Sequence, residues 1–113
     1  MENLIRTILL RIGVPAHIQG YNYLVEAISL VYNNPQNIFH LTKNVYSAVA
    51  IKFFTTESKV ERAIRNALEI AWSRGNVEYL NKLFGFEVCQ KKFKLPTGEF
   101  IALIKEKLLM DNA

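Results

Sequence analysis

Residues Phe53 to Asn76 read FFTTESKVERAIRNALEIAWSRGN, and this stretch decides the fold. Thr55 and Thr56 carry hydroxyls that cap helix starts, and Gly75 is the residue type that ends helices. Between them Val60, Ala63, Ile64, Ala67, Leu68 and Ala71 recur at i, i+3, i+4, i+7. That spacing gathers them on one face of a helix over about residues 57–74. The small side chains of Ala63, Ala67 and Ala71 are expected to let this helix pack closely on the one before it. Ser58, Glu61, Arg62, Arg65, Asn66 and Glu69 fall on the opposite face, with Lys59 beside them.

Just upstream, Val45, Tyr46, Val49, Ala50 and Phe53 share a second apolar face. β-Branched and aromatic residues favour a strand here, but the 3–4 spacing predicts a helix from about Thr42, its N-cap, to Phe53. Two helices joined by a turn at Phe54–Thr56 have the layout of a helix–turn–helix, whose second helix enters the DNA major groove. The outward face of that second helix carries the right chemistry. Arginine pairs with guanine, asparagine with adenine, and glutamate accepts from cytosine. Lys43 and Lys52, with Lys59, are placed to meet phosphates, which position a protein without reading sequence. The competing reading is a solvated surface helix, in which Glu61 and Arg65 are an ordinary i, i+4 pair. The pattern by itself leaves both open.

The rest of the chain is also helical by period. Leu4, Ile5, Ile8, Leu9 and Ile12 form a first stripe that Gly13 stops. A linker is expected over residues 16–20, and a helix from Tyr21 to Tyr32 that Asn33-Asn34-Pro35 breaks. A short turn of helix at residues 37–40, a short helix from Val77 to Phe84 closed by Gly85, and a last helix bearing Phe100, Leu103, Ile104 and Leu108 complete an all-α bundle of about six helices. Residues 86–93 alternate loosely and suggest an extended arm. Lys91, Lys92 and Lys94 there either follow a DNA backbone or form a solvated basic loop. His17 either touches a phosphate or packs in its loop, and Trp72 is expected at a helix junction in the core. The last helix is expected to bury its stripe mostly within the chain rather than share it with a second copy.

Composition narrows the function. At 113 residues, half of them hydrophobic, the chain suits one domain with a full core. No apolar run spans a bilayer and no signal-peptide layout opens the chain, so a soluble cytoplasmic protein with no membrane partner is expected. The net charge of +4 favours an acidic partner. The single aspartate, Asp111, rules out Asp-rich metal sites, and His17, His40 and Cys89 have no metal-ligand spacing. Cys89 lacks a neighbouring base that would activate it. There is no phosphate-binding loop, no cofactor motif and no catalytic set, so the expected protein is not an enzyme and needs no cofactor.

These residues also resemble a known family, the effector domain of the sporulation master response regulator of endospore-forming Firmicutes. Its opening is similar to Gly13-Val-Pro-Ala-His-Ile-Gln-Gly-Tyr21, with Tyr23-Leu24 and Glu26-Ala27-Ile28 following. Its recognition helix resembles Thr55-Thr56, Val60-Glu61-Arg62-Ala63-Ile64-Arg65 and Ile70-Ala71-Trp72-Ser73-Arg74-Gly75-Asn76, and Leu83-Phe84-Gly85, Pro96-Thr97 and Glu99-Phe100-Ile101-Ala102 match the remainder. The resemblance implies binding to short boxes in double-stranded DNA, often as a homodimer on tandem sites, and contact with RNA polymerase holoenzyme. It places Ser58, Glu61, Arg62 and Arg65 on the DNA-contacting face, and Glu78, Asn81 and Lys82 are candidates for the polymerase contact. This chain departs at Lys59, where the family usually has arginine, at Asn66, where it usually has histidine, and at Val25, and it diverges over residues 87–95. The full-length regulator carries a phosphorylated receiver domain. This chain has none, so it is expected to be an excised domain or stand-alone paralogue that binds DNA without that switch, weakly as a monomer.

Overall fold

In the computed structural model, which describes residues 1–74, 76–88 and 94–111, every regular element among the described residues is helical. The α-helices are α1 (Glu2–Ile12), α2 (Gln19–Asn33), α3 (Ser47–Lys52), α4 (Glu57–Ser73), α5 (Val77–Phe84) and α6 (Thr97–Asp111). A 3-10 turn, Pro35–His40, and a π-helical stretch, Leu41–Tyr46, lead from α2 into α3. The expected all-α bundle of about six helices is what forms.

The apolar stripes converge on one core. Ile5, Leu9 and Ile12 from α1, Leu24 and Ile28 from α2, Ile64 and Leu68 from α4, Leu80 from α5, and Phe100, Ile101, Ile104 and Leu108 from α6 are sealed from solvent. Burying each aliphatic side chain of this size contributes about 1.5–3 kcal/mol. Helix α2 is the central element and packs on α4, α6 and α1. The expected internal burial of the α6 stripe holds for Phe100, Ile104 and Leu108, while Leu103 is only half-buried. Gly13 and Gly85 end α1 and α5 in the left-handed conformation, at φ 109° and 80°, which glycine adopts at least cost.

Three local expectations need correction. The linker at residues 16–20 is shorter than expected, because α2 begins at Gln19 after Ile18 in extended backbone. Gly20 therefore lies inside a helix. It is bare because α4 crosses there: a Cβ on Gly20 would sit 2.2 Å from the Ala63 carbonyl oxygen and 2.8 Å from the Ala67 Cβ. Ala63 and Ala67 of α4 thus also allow a close approach to α2, two α-helices back, which the expected packing on the preceding helix did not include. Thirdly, Thr42 is not an N-cap. The helix starts at Leu41 as a π turn, in which the Ser47 N–H donates to the Thr42 carbonyl and the Ser47 hydroxyl to the Lys43 carbonyl.

The turn between α3 and α4 is a Schellman closure. The Thr55 N–H donates to the Ala50 carbonyl at 2.9 Å, and the Phe54 N–H to the Ile51 carbonyl at 3.4 Å. Phe54 occupies the left-handed slot, at φ 56°, where glycine is usual. Its ring is 97% exposed, so it gains no burial to offset the backbone strain. Replacing it should stabilise the fold: Phe54→Gly is expected to gain about 0.5–1 kcal/mol, the relief of roughly 1–2 kcal/mol of left-handed strain less the backbone entropy of glycine. A urea midpoint unchanged or lowered relative to the parent chain would contradict it.

Candidate nucleic-acid interface

Helix α4 is held at both ends and along its inner face. At its start, the Thr56 hydroxyl accepts a hydrogen bond from the Lys59 N–H at 3.3 Å, so of the two expected capping threonines Thr56 is the one used. Along its length Val60, Ile64, Ala67, Leu68, Ala71 and Trp72 are buried, while Ala63 is half-buried against α2. Beyond its end, the Arg74 guanidinium donates to the Gly13 carbonyl at 3.2 Å, and the Asn76 amide donates to the Arg11 carbonyl. Both bonds satisfy carbonyls that the end of α1 leaves unpaired. Gly75, expected to stop the helix, lies outside the described residues.

This anchoring presents the outward face rigidly. Ser58, Lys59, Glu61, Arg62, Arg65 and Asn66 are all exposed, over the first two and a half turns of the helix. Arg65 pairs with Glu61 at 3.4 Å, both partners largely in solvent. Such a pair contributes at most about 0.5 kcal/mol, so Arg65 is released at little cost to another acceptor. Arg62 and Lys59 have no ion-pair partner among the described residues. Beneath this face lies Tyr46, buried, from the π-helical stretch. Its phenol is pushed up to about 12, first by burial and then by the Glu61 carboxylate, with Arg65 opposing. It therefore stays neutral at physiological pH and ties the first helix of the pair to the second.

The expected phosphate-contacting lysines differ in their circumstances. Lys43 is exposed on the π-helical stretch. Lys52 is exposed too, but its ammonium lies 2.7 Å from the Glu26 carboxylate of α2 and 5.8 Å from the centre of the Phe53 ring. It clamps the end of α3 to α2, and a phosphate would compete with that carboxylate. Lys91 and Lys92, and Cys89, lie outside the described residues, as does most of the expected extended arm; residues 86–88 of it have no regular structure. His17 is exposed in its loop. Trp72 sits at a helix junction as expected, its ring edge-on to Phe100 of α6 at 5.7 Å and 78°. Of the three residues considered for a polymerase contact, Glu78 and Lys82 are exposed, while Asn81 accepts the Val88 N–H at 2.9 Å and so fixes the chain leaving α5.

Several supports of this site escaped the sequence. Gly20 looks like a loop residue when it is read alone. Arg74 and Asn76 look like a solvated helix end. The signal for Gly20 was the apolar stripe of α2, which continues from Tyr21 with no turn residue between. For Arg74 and Asn76 no local signal exists, because their partners lie more than sixty positions away.

With that geometry in place, a family model described as the C-terminal domain of the sporulation initiation factor Spo0A matches residues 5–108. The match runs from the first buried residue of α1 to the last buried residue of α6.

Proposed function

The chain belongs to the family of Spo0A C-terminal domains, DNA-binding regulators of sporulation initiation, and from that premise we propose that it reads a specific DNA sequence with α4 in the major groove. In this reading residues 1–113 serve as one helix–turn–helix effector domain in the cytoplasm. The observation that carries it is the exposed cluster of Ser58, Lys59, Glu61, Arg62, Arg65 and Asn66 on the second of two helices joined by a tight turn. Arg62 has a guanidinium without an ion-pair partner among the described residues, so it is the first choice for a bidentate contact to guanine. Asn66 suits adenine and Glu61 suits cytosine. Lys59 and Lys43 suit phosphates. Pairing of two copies on tandem boxes, and contact with RNA polymerase holoenzyme through the exposed Glu78 and Lys82, extend the same reading.

The test is a titration, at several salt concentrations, of a duplex carrying the family's box and of a scrambled duplex. Arg62→Ala is expected to cost about 1–3 kcal/mol of binding to the box and to leave the scrambled duplex nearly unaffected. Equal binding of the parent chain to both duplexes would sink the sequence-reading claim.

A second reading has one observation in its favour. Ile51 and Phe54, 77% and 97% exposed, set a large apolar surface at the turn between the two helices. A stand-alone paralogue that engages the full-length regulator as an antagonist, without reading DNA, would use such a surface. Under it the parent chain binds neither duplex, and Arg62→Ala changes nothing.

A further inference from the structure

Beside the reading face lies a cleft that the proposed base contacts do not occupy. It has a volume of about 340 Å³ and runs between the second half of α4 and the chain entering α6. Leu68 and Trp72 of α4, with Leu95 and Pro96, make its floor apolar. Arg65 and Lys94 bring positive charge to its rim, Thr97 a hydroxyl, and Glu69 the one carboxylate. Arg65, Leu68, Glu69 and Trp72 are spaced i, i+3, i+4, i+7, so the cleft follows one flank of α4. Arg65 belongs both to this flank and to the reading face.

We propose that this cleft seats one sugar–phosphate unit of the duplex backbone, its phosphate held between Lys94 and Arg65 and its deoxyribose against Leu95 and Pro96. The inference rests on the reading of α4 as a groove-seated helix. A helix lying in the major groove has a phosphate strand along its flank, and this cleft lies on such a flank. The chemistry of the lining fits that strand and little else. A phosphate needs cations and hydroxyl donors, and the sugar carbons need an apolar wall beside them. A purely apolar partner would leave the exposed Lys94 ammonium at the rim without an anion to meet. Lys94 is exposed and Arg65 is held only by its solvated pair with Glu61, so both are available. Glu69 opposes the anion and limits the strength of the contact.

The experiment uses the full chain and three variants, Lys94→Ala, Lys94→Arg and Glu69→Gln, against box and scrambled duplexes. Lys94→Ala should weaken both duplexes alike, by roughly 3- to 10-fold at low salt, and should reduce the slope of log K against log salt by about 1. Lys94→Arg should restore most of the loss, and Glu69→Gln should tighten both duplexes a few-fold. Box duplexes with one phosphate at a time replaced by an uncharged methylphosphonate locate the contact. At one position in each box the neutral linkage should cost the parent chain more affinity than it costs Lys94→Ala, which has only the Arg65 contact left to lose. If the parent chain reads the box but Lys94→Ala matches it in affinity and salt slope, the cleft is not a backbone seat, and the reading of α4 stands. If the parent chain binds no duplex, both fall together. Displacement of duplex from the parent chain, but not from Lys94→Ala, by millimolar thymidine monophosphate would make the cleft a free-nucleotide site and overturn the proposal.

Discussion

Gly20→Val is expected to lower the stability of the fold by about 3 kcal/mol or more, the upper end of what overpacking does. The reason is where α2 meets α4. An added Cβ stands 2.2 Å from the Ala63 carbonyl oxygen and 2.9 Å from its carbon. Both are backbone atoms of a helix, so no rotamer change relieves the clash. Relief requires moving α4, which is fastened at its far end by Arg74 and Asn76 to the end of α1. Urea denaturation measures the loss directly. Gly98→Ala is the control. Its new carbon meets only the Leu41 Cδ1, at 3.4 Å, and alanine is favoured over glycine within helices by about 1 kcal/mol, so no loss is expected. A Gly20→Val chain that unfolds at the parent urea midpoint would show that the two helices do not approach so closely.

The other large effect is expected on the opposite side of α4. Phe100→Ala should cost about 3–5 kcal/mol. Phe100 is fully buried in the first turn of α6, and its ring meets Trp72 edge-on at 5.7 Å. The aromatic pair adds about 0.5–1.5 kcal/mol to the area it buries. Trp72 is the only tryptophan, so intrinsic fluorescence reports on this junction and on unfolding together. A shifted native-state emission accompanied by a lower denaturation midpoint is expected. Phe100→Leu keeps most of the volume and should cost markedly less. If Phe100→Ala costs under about 1 kcal/mol, α6 does not pack on α4 as described.

These two sites also show where the sequence sufficed and where it did not. The period of α4 named its inner face, with Val60, Ile64, Ala67, Leu68 and Ala71 buried and Ala63 half-buried, because a helix with one apolar face has only one way to bury it. The start and stop signals worked where the capping chemistry is local, as at Thr56, Gly13 and Gly85. They failed at Thr42. There the chain winds as a π turn, and its N–H groups find partners without a side-chain cap. They failed again at Gly20. Glycine within a helix and glycine within a loop look alike until the crossing helix is in place. Trp72 was legible as a junction residue, since it continues the Leu68 side of α4. Its partner Phe100 was not, because the two are brought together only by the return of α6.

The candidate DNA face divides in the same way. Which residues of α4 point outward was fixed by the 3.6-residue period, and all six expected positions are exposed. Which of them have a competing partner required neighbours in space. Arg65 is paired with Glu61, a relation visible at i, i+4. Lys52 is paired with Glu26, twenty-six positions back, and no local pattern shows it. The cleft shared by Arg65 and Lys94 likewise exists only because the chain before α6 returns to the flank of α4. The sequence by itself determined the helices, their buried faces and the family. Those depend on periodicity and on side-chain chemistry within a few residues. Only the tertiary structure decided which charges are free, where α2 crosses α4 and what flanks the reading face. Those depend on contacts between residues far apart in the chain, which propensity and period do not encode.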